Sequence, residues 1–452
     1  MIDTKLLRQK ILDLAIRGKL VKQDPNDEPA SVLLERIRAE KAQLVKEGKI
    51  KKDKVESFIF KGSDNRHYEN LPTGWILAKV GDVFDLQAGS SIKAIELEEK
   101  TKDNFPCYGG NGLRGYIKRC NRDGNHPLIG RQGALCGNIN YVSGKFHATE
   151  HAVVVDCFAG TNPRWAFYFL IILNLNQYAT STAQPGLAVK TINFVDIPLP
   201  PIVEQNRIVD FIETLLATVN DLEKSEANLL SMTIVAKSKI LDLAIRGKLV
   251  PQDPNDEPAS ALLERIRSEK KPSDKSQYKN ESEFPFYIPE NWEWVRLGDI
   301  SNIIMGQSPD GKSVSESSNG IEFHQGKIFF SKHIINKSNQ TTYAPTKIAP
   351  ANSVLLCVRA PVGKVNIADR ELCIGRGLCA IQPLAKMSVK FIFRFLEAFE
   401  LFFVRKSTGT TFIAITCDVV KNQLVPLPPL VEQHRIVTQI EKLFAQIDTI
   451  TK

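Results

Sequence analysis

Residues 11–41 and 240–270 of this chain are nearly the same sequence: ILDLAIRGKLVKQDPNDEPASVLLERIRAEK in one place and ILDLAIRGKLVPQDPNDEPASALLERIRSEK in the other. Only Lys22/Pro251, Val32/Ala261 and Ala39/Ser268 differ. Core packing alone does not require such identity, because it extends to outward-facing positions, where substitution is usually tolerated. Glu35, Arg36 and Arg38 are matched by Glu264, Arg265 and Arg267. Two copies of one surface predict two copies of one partner, held through Arg36 and Arg38 and again through Arg265 and Arg267. The sequence between the blocks is far more divergent, which argues against a duplication that has not yet drifted.

The duplication runs on past these blocks. LPTGWILAKVGD (71–82) is matched by IPENWEWVRLGD (288–299), and IPLPPIVEQNRIV (197–209) by VPLPPLVEQHRIV (425–437). Each half has the same order: helix block, Trp-containing opening, variable region, Pro-Leu-Pro-Pro exit. Five segments follow. Residues 1–70 form a conserved helical region with a linker, and 71–196 a first variable domain. Residues 197–287 hold a central conserved helix, a shorter helix and a linker. Residues 288–424 are a second variable domain, and 425–452 a conserved C-terminal helix. A repeat this long, present twice, predicts two similar domains and not a solenoid, which stacks several short units.

The segment after each exit has a helical pattern. A strict 4-3 spacing picks out Ile208, Ile212, Leu215, Val219, Leu222, Glu226, Leu229, Thr233, Ala236, Ile240 and Leu243. Only Glu226 and Thr233 interrupt the apolar seam, so coiled-coil periodicity is sustained over five heptads. Such a helix is about 54 Å long. Ile436, Ile440, Leu443, Ile447 and Ile450 repeat the first part of the seam, and Leu7, Ile11 and Leu14 repeat the second. The two ends of the chain together lack only equivalents of Ser225–Leu229 to make a second full helix. The expectation is that the C-terminal and N-terminal helices lie end to end, antiparallel to the central one. The termini would then be close, in a circularly arranged pseudo-twofold repeat.

Apolar content of 43% over 452 residues supports several ordinary globular cores. A net charge of +8 is compatible with nucleic acid without specifying it. Eight cysteines lie without a Cys-x-x-Cys pair, which predicts thiols in a reducing cytosol and not a disulfide framework. The charged amphipathic start is unlike a secretory signal, and the apolar run around Trp165–Leu173 is too short to span a bilayer. A cytoplasmic location and no membrane partner are therefore expected. Asp24-Pro25-Asn26-Asp27 is a turn signature, and Pro29 suits a first helical position, so a helix is predicted from Ala30 to about Glu47. Lys46–Lys54 and the Lys/Ser/Asn-rich stretch 268–287 read as linkers. The variable regions mix β-like runs (Ala152–Val155, Val354–Val358) with helical runs (Trp165–Leu175, Lys390–Val404), which makes the fold class α+β.

Two motifs suggest chemistry that their context does not support. Gly306 to Ser313 matches the phosphate-loop pattern G-x-x-x-x-G-K-S, but a polar, turn-prone stretch follows where a helix is required to hold phosphate. A contact of Lys312 with DNA phosphate fits that stretch better. His147-Ala-Thr-Glu150-His151 matches a zinc-hydrolase pattern that requires a helix, yet Ala152–Asp156 reads as a strand and no third ligand is evident. No dinucleotide glycine motif follows a clear strand, and the two Pro-Leu-Pro-Pro exits lack the acidic or amide residue of an amino-methyltransferase motif. No catalytic residue and no metal ligand is assigned.

This organisation resembles the specificity (S) subunits of type I restriction–modification systems over the whole chain. The paired PLPPxxEQxRI exits at 198–208 and 426–436, the Trp-containing openings and the duplicated ILDLAIRGKL helices carry the resemblance. It implies two target-recognition domains separated by an antiparallel pair of long coiled-coil helices, each domain reading one half of a bipartite, asymmetric double-stranded DNA site. It implies as partners two methyltransferase subunits and two restriction subunits. S-adenosylmethionine, ATP and magnesium would sit on those partners, with no cofactor on this chain. The assembled complex would methylate adenine and cleave DNA with ATP. A helix of about 54 Å corresponds to roughly 16 base pairs, which allows two half-sites about one helical turn apart.

Base readers must then come from the divergent regions. In the first, Asn111 and Arg114 lie in a glycine-rich run, and Arg131 and Gln132 stand between Gly130 and Gly133, residue types that pair well with major-groove edges. Arg131 is expected to correspond to Arg359. Arg376 and Gln325 are further candidates in the second domain, and Lys190 and Lys406 are candidates for phosphate contacts.

Overall fold

The computed structural model describes residues 2–50, 70–133, 135–180, 185–269, 284–316, 320–408 and 413–451. Most of the two linkers read from the sequence, beyond residue 50 and within 268–287, lies outside the described residues. Chain contacts divide the molecule into two compact units, residues 2–226 and residues 227–452.

The first unit begins with α1 (Thr4–Ile16), whose first turn is capped by the Asp3 carboxylate accepting from Leu6 N at 2.9 Å. Helix α2 (Ala30–Lys46) starts directly after Pro29, which cannot donate to a preceding turn. The variable region then supplies β1 (Ile76–Lys79), α3 (Val80–Val83), β2 (Phe84–Ala88), β3 (Phe105–Gly109), β4 (Gly112–Ile117), β5 (Asn125–Gly130), β6 (Ile139–Ser143), β7 (His147–Ala148) and β8 (Ala152–Cys157). It ends with α4 (Pro163–Ile172), α5 (Val189–Asn193) and β9 (Asp196–Leu199), before α6 (Ile202–Ile245). Asn162 caps α4 by accepting from Arg164 N and Trp165 N, and Pro163 occupies its first turn. An antiparallel sheet runs β2-β8-β5-β6, a smaller one runs β4-β3-β7, and β1 pairs with β9 across the ends of the variable region. The strand order mixes distant segments, so the sequence spacing of the strands does not reveal it.

The second unit repeats this plan. It contains the part of α6 from Ala227 onward, α7 (Ala259–Glu269), β10 (Glu293–Arg296), α8 (Leu297–Ile300), β11 (Ser301–Met305), β12 (Val314–Ser315), β13 (Ile321–His324), β14 (Thr341–Thr342) and β15 (Ile348–Ala349). There follow β16 (Ser353–Cys357), β17 (Val365–Ala368), β18 (Leu372–Ile374), β19 (Leu378–Pro383), α9 (Val389–Ala398), α10 (Glu400–Lys406), α11 (Cys417–Lys421), β20 (Leu424–Leu427) and α12 (Leu430–Ile450). The sheet β11-β19-β16-β17 matches β2-β8-β5-β6 strand for strand, while the smaller sheet has grown to β12-β14-β13-β18-β15. The fold is α+β in both units.

One joint closes each unit, and the two joints use the same side chains. The Glu204 carboxylate is buried and accepts from Trp75 Nε1 (2.9 Å) and Gln23 Nε2 (2.9 Å). Glu432 accepts in the same way from Trp292 Nε1 (2.9 Å) and Gln252 Nε2 (2.7 Å). Burial raises the Glu432 pKa, and these hydrogen bonds pull it back. Arg207 forms a two-pronged ion pair with Asp27, and Arg435 with Asp256. The buried amide of Gln205 donates to Pro200 O and accepts from Asn162 N, and Gln433 does the same with Pro428 O and Ser388 N. The QDPNDEP turn and the VEQ exit are therefore two halves of one buried polar knot. A buried carboxylate is tolerable only when donors surround it, which restricts substitution at those positions without any outside partner.

The helices pack antiparallel within each unit. Ile2 N donates to Glu226 and Arg8 to Asn220 and Glu223, so α1 runs down the first part of α6. Lys237 pairs with Asp448, so α12 runs along the later part. Ile11, Ile208, Ile212, Val219, Ile436 and Ile440 are buried, and Leu7, Leu14, Leu215, Leu222, Ile240, Leu243, Leu443 and Ile447 are half-buried. Leu229 is 37% exposed, an exception to the continuous seam. Near the variable regions the covered stripe broadens to Ala15, Ile16, Leu241, Ala244, Ile245 and Phe444. There each helix meets a sheet-backed helix, α1 against α4 and α12 against α9, as well as its partner on the seam. A helix with two neighbours needs a stripe wider than a two-per-heptad seam.

Candidate nucleic-acid interface

In each unit several strand ends converge on one rim. In the first unit the rim collects the end of β2, the β3–β4 turn, the end of β5 and the β7–β8 turn. Gly89 N donates to Ala152 O and Ser90 N to Ala148 O, Arg131 N to His151 O, and Thr149 N to Tyr108 O. A Cβ on Gly130 would overlap the Gly110 carbonyl, and one on Gly89 the Ala148 carbonyl. The glycine at 130 lets two protein backbones meet. In the second unit Gly306 N donates to Leu378 O, Gln307 N to Ile374 O, Val358 N to Gly377 O and Gly375 N to His324 O.

These ladders fix which residues are equivalent. Arg131 O accepts from Leu187 N and Gln132 bridges Gly186; Val358 O accepts from Ile415 N and Arg359 bridges Ala414. The counterpart of Arg359 is thus Gln132, and Arg131 corresponds to Val358. The sequence pairing of Arg131 with Arg359 is one residue out, and on an extended chain one residue is the opposite face. By the same bonds Ser90 corresponds to Gln307, Gly109 to Gln325 and Glu150 to Arg376. Gln132, Gln307, Gln325, Arg359 and Arg376 are exposed, and Glu150 is half-exposed.

The remaining candidates are spread more widely. Asn111 is exposed at the β3–β4 turn, and Arg114 is exposed on β4 beside Gly109. Arg131 is half-buried, and its Nε has no hydrogen-bond partner among the described residues. Lys190 lies on α5, and Lys406 ends α10 with its ammonium 5.7 Å from the Phe402 ring. Lys312 is exposed in a three-residue 3-10 turn that leads into β12 and not into a long helix. Its amide is occupied by the Asp310 carboxylate at 3.1 Å, an acidic group where a phosphate would have to sit. In the sequence Glu150 stands out only within a metal motif and Gln307 carries no signal; aligning the turns before β8 and β19 brings out Glu150, and aligning the ends of β2 and β11 brings out Gln307. His147 stands on β7 and Glu150 and His151 in the following turn, so no helix presents them together. His147 Nε2 faces Ser90 Oγ at 3.3 Å. Among the described residues no group of three or more His, Cys, Asp or Glu side chains is placed to hold a metal ion.

Behind the second rim, Glu322 accepts from Arg370 Nε (2.8 Å) and Nη2 (2.7 Å), His324 Nε2 (2.9 Å) and Ser338 N (2.6 Å). Burial alone would raise its pKa, but these donors outweigh it and hold the carboxyl at about 2. The ladder places Pro106 at this position in the first unit. Cavities of about 430 and 290 Å³ in the second unit share His333, Arg394 and Glu441, and neither is lined by a rim residue.

Of the four arginines proposed for partner contact, Arg36 pairs with Glu28 (2.5 Å) and Arg265 with Glu257 (2.7 Å). Arg38 lies 3.8 Å from Asp82, and Arg267 is exposed. No helix among the described residues is long and apolar enough to cross a membrane.

Comparison with known proteins agrees with this architecture. The family model for the type I restriction modification DNA specificity domain matches residues 72–231 and 289–452. The EcoAI specificity subunit of Escherichia coli is 29% identical, with 97% of this chain and 88% of that protein covered. The EcoprrI specificity subunit of the same organism is 43% identical over 154 residues, which span 33% of this chain and 38% of that protein. A solved chain from the assembly of a type I restriction–modification system aligns with TM-score 0.63 at 24% identity, covering 84% of this chain and 93% of that one. That last likeness is one of fold.

Proposed function

Because the chain belongs to the type I restriction–modification DNA specificity family, whose domain it carries twice, we propose that it is the non-catalytic sequence reader of such a complex. Each rim reads one half of a bipartite, asymmetric site in double-stranded DNA, and the conserved helices set the unspecific gap. The duplicated helix blocks recruit two methyltransferase subunits and, with them, two restriction subunits, in the cytoplasm. S-adenosylmethionine, ATP and magnesium belong to those partners. One observation carries this reading: two domains of matched topology present different side chains at equivalent rim positions, Gln132 against Arg359 and Glu150 against Arg376. A shared frame with divergent readers is what an asymmetric site requires.

The test is selection from a random duplex library by the full chain with its methyltransferase subunits. The expected result is a split motif with a fixed gap, retained at moderate salt. Binding that salt abolishes and that enriches no sequence would mean phosphate contact alone, and the reading would fall.

A further inference from the structure

We propose that positions 150 and 376, with 132 and 359 beside them, decide which bases the two half-sites contain. The inference rests on the DNA-reading function proposed above and goes beyond it by assigning base chemistry to each unit. In the second unit the end of β16 and the β18–β19 turn present Arg359 and Arg376, both exposed. Their backbones are tied by the bond from Val358 N to Gly377 O at 3.0 Å. Gln325 is held alongside, its Oε1 accepting from Ser308 Oγ at 3.2 Å. In the first unit the same two strand ends present Gln132 and Glu150, tied by the bond from Arg131 N to His151 O at 3.0 Å.

The chemistry of the two pairs is opposite. A guanidinium only donates, and its fork matches the O6 and N7 acceptors of guanine. A carboxylate only accepts, so it selects an exocyclic amino group, and an amide beside it serves adenine. The Glu150 side chain is 40% exposed, with Oε1 3.3 Å from His151 Nε2, so the rim presents a carboxylate there. The half-site of the second unit therefore carries guanine at the positions facing Arg359 and Arg376. The half-site of the first carries cytosine or adenine facing Glu150 and Gln132. A carboxylate facing the groove also repels guanine acceptors and phosphate, so Glu150 excludes as well as selects.

The experiment is library selection with the full chain and its methyltransferase subunits, comparing wild type, Arg376→Gln and Glu150→Gln. Circular dichroism and the salt dependence of bulk duplex binding check that each variant is folded. For Arg376→Gln, preference is expected to fall roughly tenfold to a hundredfold at one G·C pair of one half-site, with the other half-site unchanged. For Glu150→Gln, the loss is expected in the other half-site, at a pair whose amino group faces the protein. If wild type selects a split site and neither variant changes it, or if Arg376→Gln relaxes an A·T pair, this inference falls while the sequence-reading function stands. If wild type selects nothing, both fall together.

Discussion

The joint and the rim of each unit have been treated oppositely by the duplication. At the joint, Trp75, Gln23 and Glu204 reappear as Trp292, Gln252 and Glu432 with distances that differ by at most 0.2 Å. At the rim, one unit has an amide and a carboxylate where the other has two arginines, Gln132 for Arg359 and Glu150 for Arg376. The difference separates two reasons for identity. A buried carboxylate with two aimed donors has almost no chemically equivalent replacement, so the frame is fixed by its own interior. An exposed rim residue is fixed only by what it touches. Near-identity of the helix blocks is thus partly explained inside the chain, and it is weaker evidence for a partner than the sequence alone suggested.

The largest effect comes from breaking the joint. Glu204→Ala leaves the Trp75 indole N–H and the Gln23 amide without their acceptor in a buried place. A cost of about 3–5 kcal/mol to the first unit is expected from two lost charge-assisted bonds and the unpaired donors. Glu432→Ala should cost the second unit as much. Urea unfolding of each full-length variant measures this, and a large effect at one joint with none at the other would break the equivalence.

The next effect is a difference in acid stability. Glu322 titrates near 2 in the folded chain against an ordinary 4.5, so its contribution is whole above about 4.5 and is lost as pH falls towards 2. The first unit has Pro106 there and no such contribution. Glu322 should contribute about 2–3 kcal/mol of the second unit's loss over that window by this linkage, and Arg370→Met should abolish most of that share. Hydrogen exchange of the two units at pH 5 and pH 3 separates them; equal loss in both would remove this contrast.

How much was legible in advance follows from the range of each signal. The helices were legible because their period is local and repeated: α2 starts after Pro29 and ends near Gly48, and the seam residues Ile208, Ile212 and Val219 are buried. The α+β class and the position of β8 were also readable from runs of residues. The strand order was not, because β2, β5 and β8 pair across long separations that no short window contains. The misplaced Arg131 shows the same limit at the rim. Matching residue types put arginine on arginine, whereas the ladder that sets the face is made by Leu187 and Ile415, more than fifty residues further along the chain.

A smaller perturbation tests whether the rim depends on close approach of backbones. Gly130→Ala would press a methyl group into the Gly110 carbonyl. A cost of about 1–3 kcal/mol is expected for such overpacking, with weakened selection confined to the first half-site. Cys357, at the equivalent position of the second unit, already carries a buried side chain. Loss of selection in both half-sites after Gly130→Ala would mean that the rims are not independent.

The smallest effect on the fold, and the one that best divides frame from partner, belongs to the helix surface. Arg36 and Arg265 hold exposed ion pairs, so replacing either by alanine should change stability by less than about 0.5 kcal/mol. Arg38, whose Asp82 partner lies at 3.8 Å, and Arg267, which has no ion pair among the described residues, should change it no more. If the blocks are identical because they recruit the same subunit, Arg38→Ala with Arg36→Ala should remove one methyltransferase copy from the purified complex. Arg267→Ala with Arg265→Ala should remove the other, each with an unchanged melting temperature, and mass photometry counts the copies directly. Retention of both copies in both variants would assign the identity of the blocks to the buried knot beneath them, and the partner surface would have to be sought elsewhere on the chain.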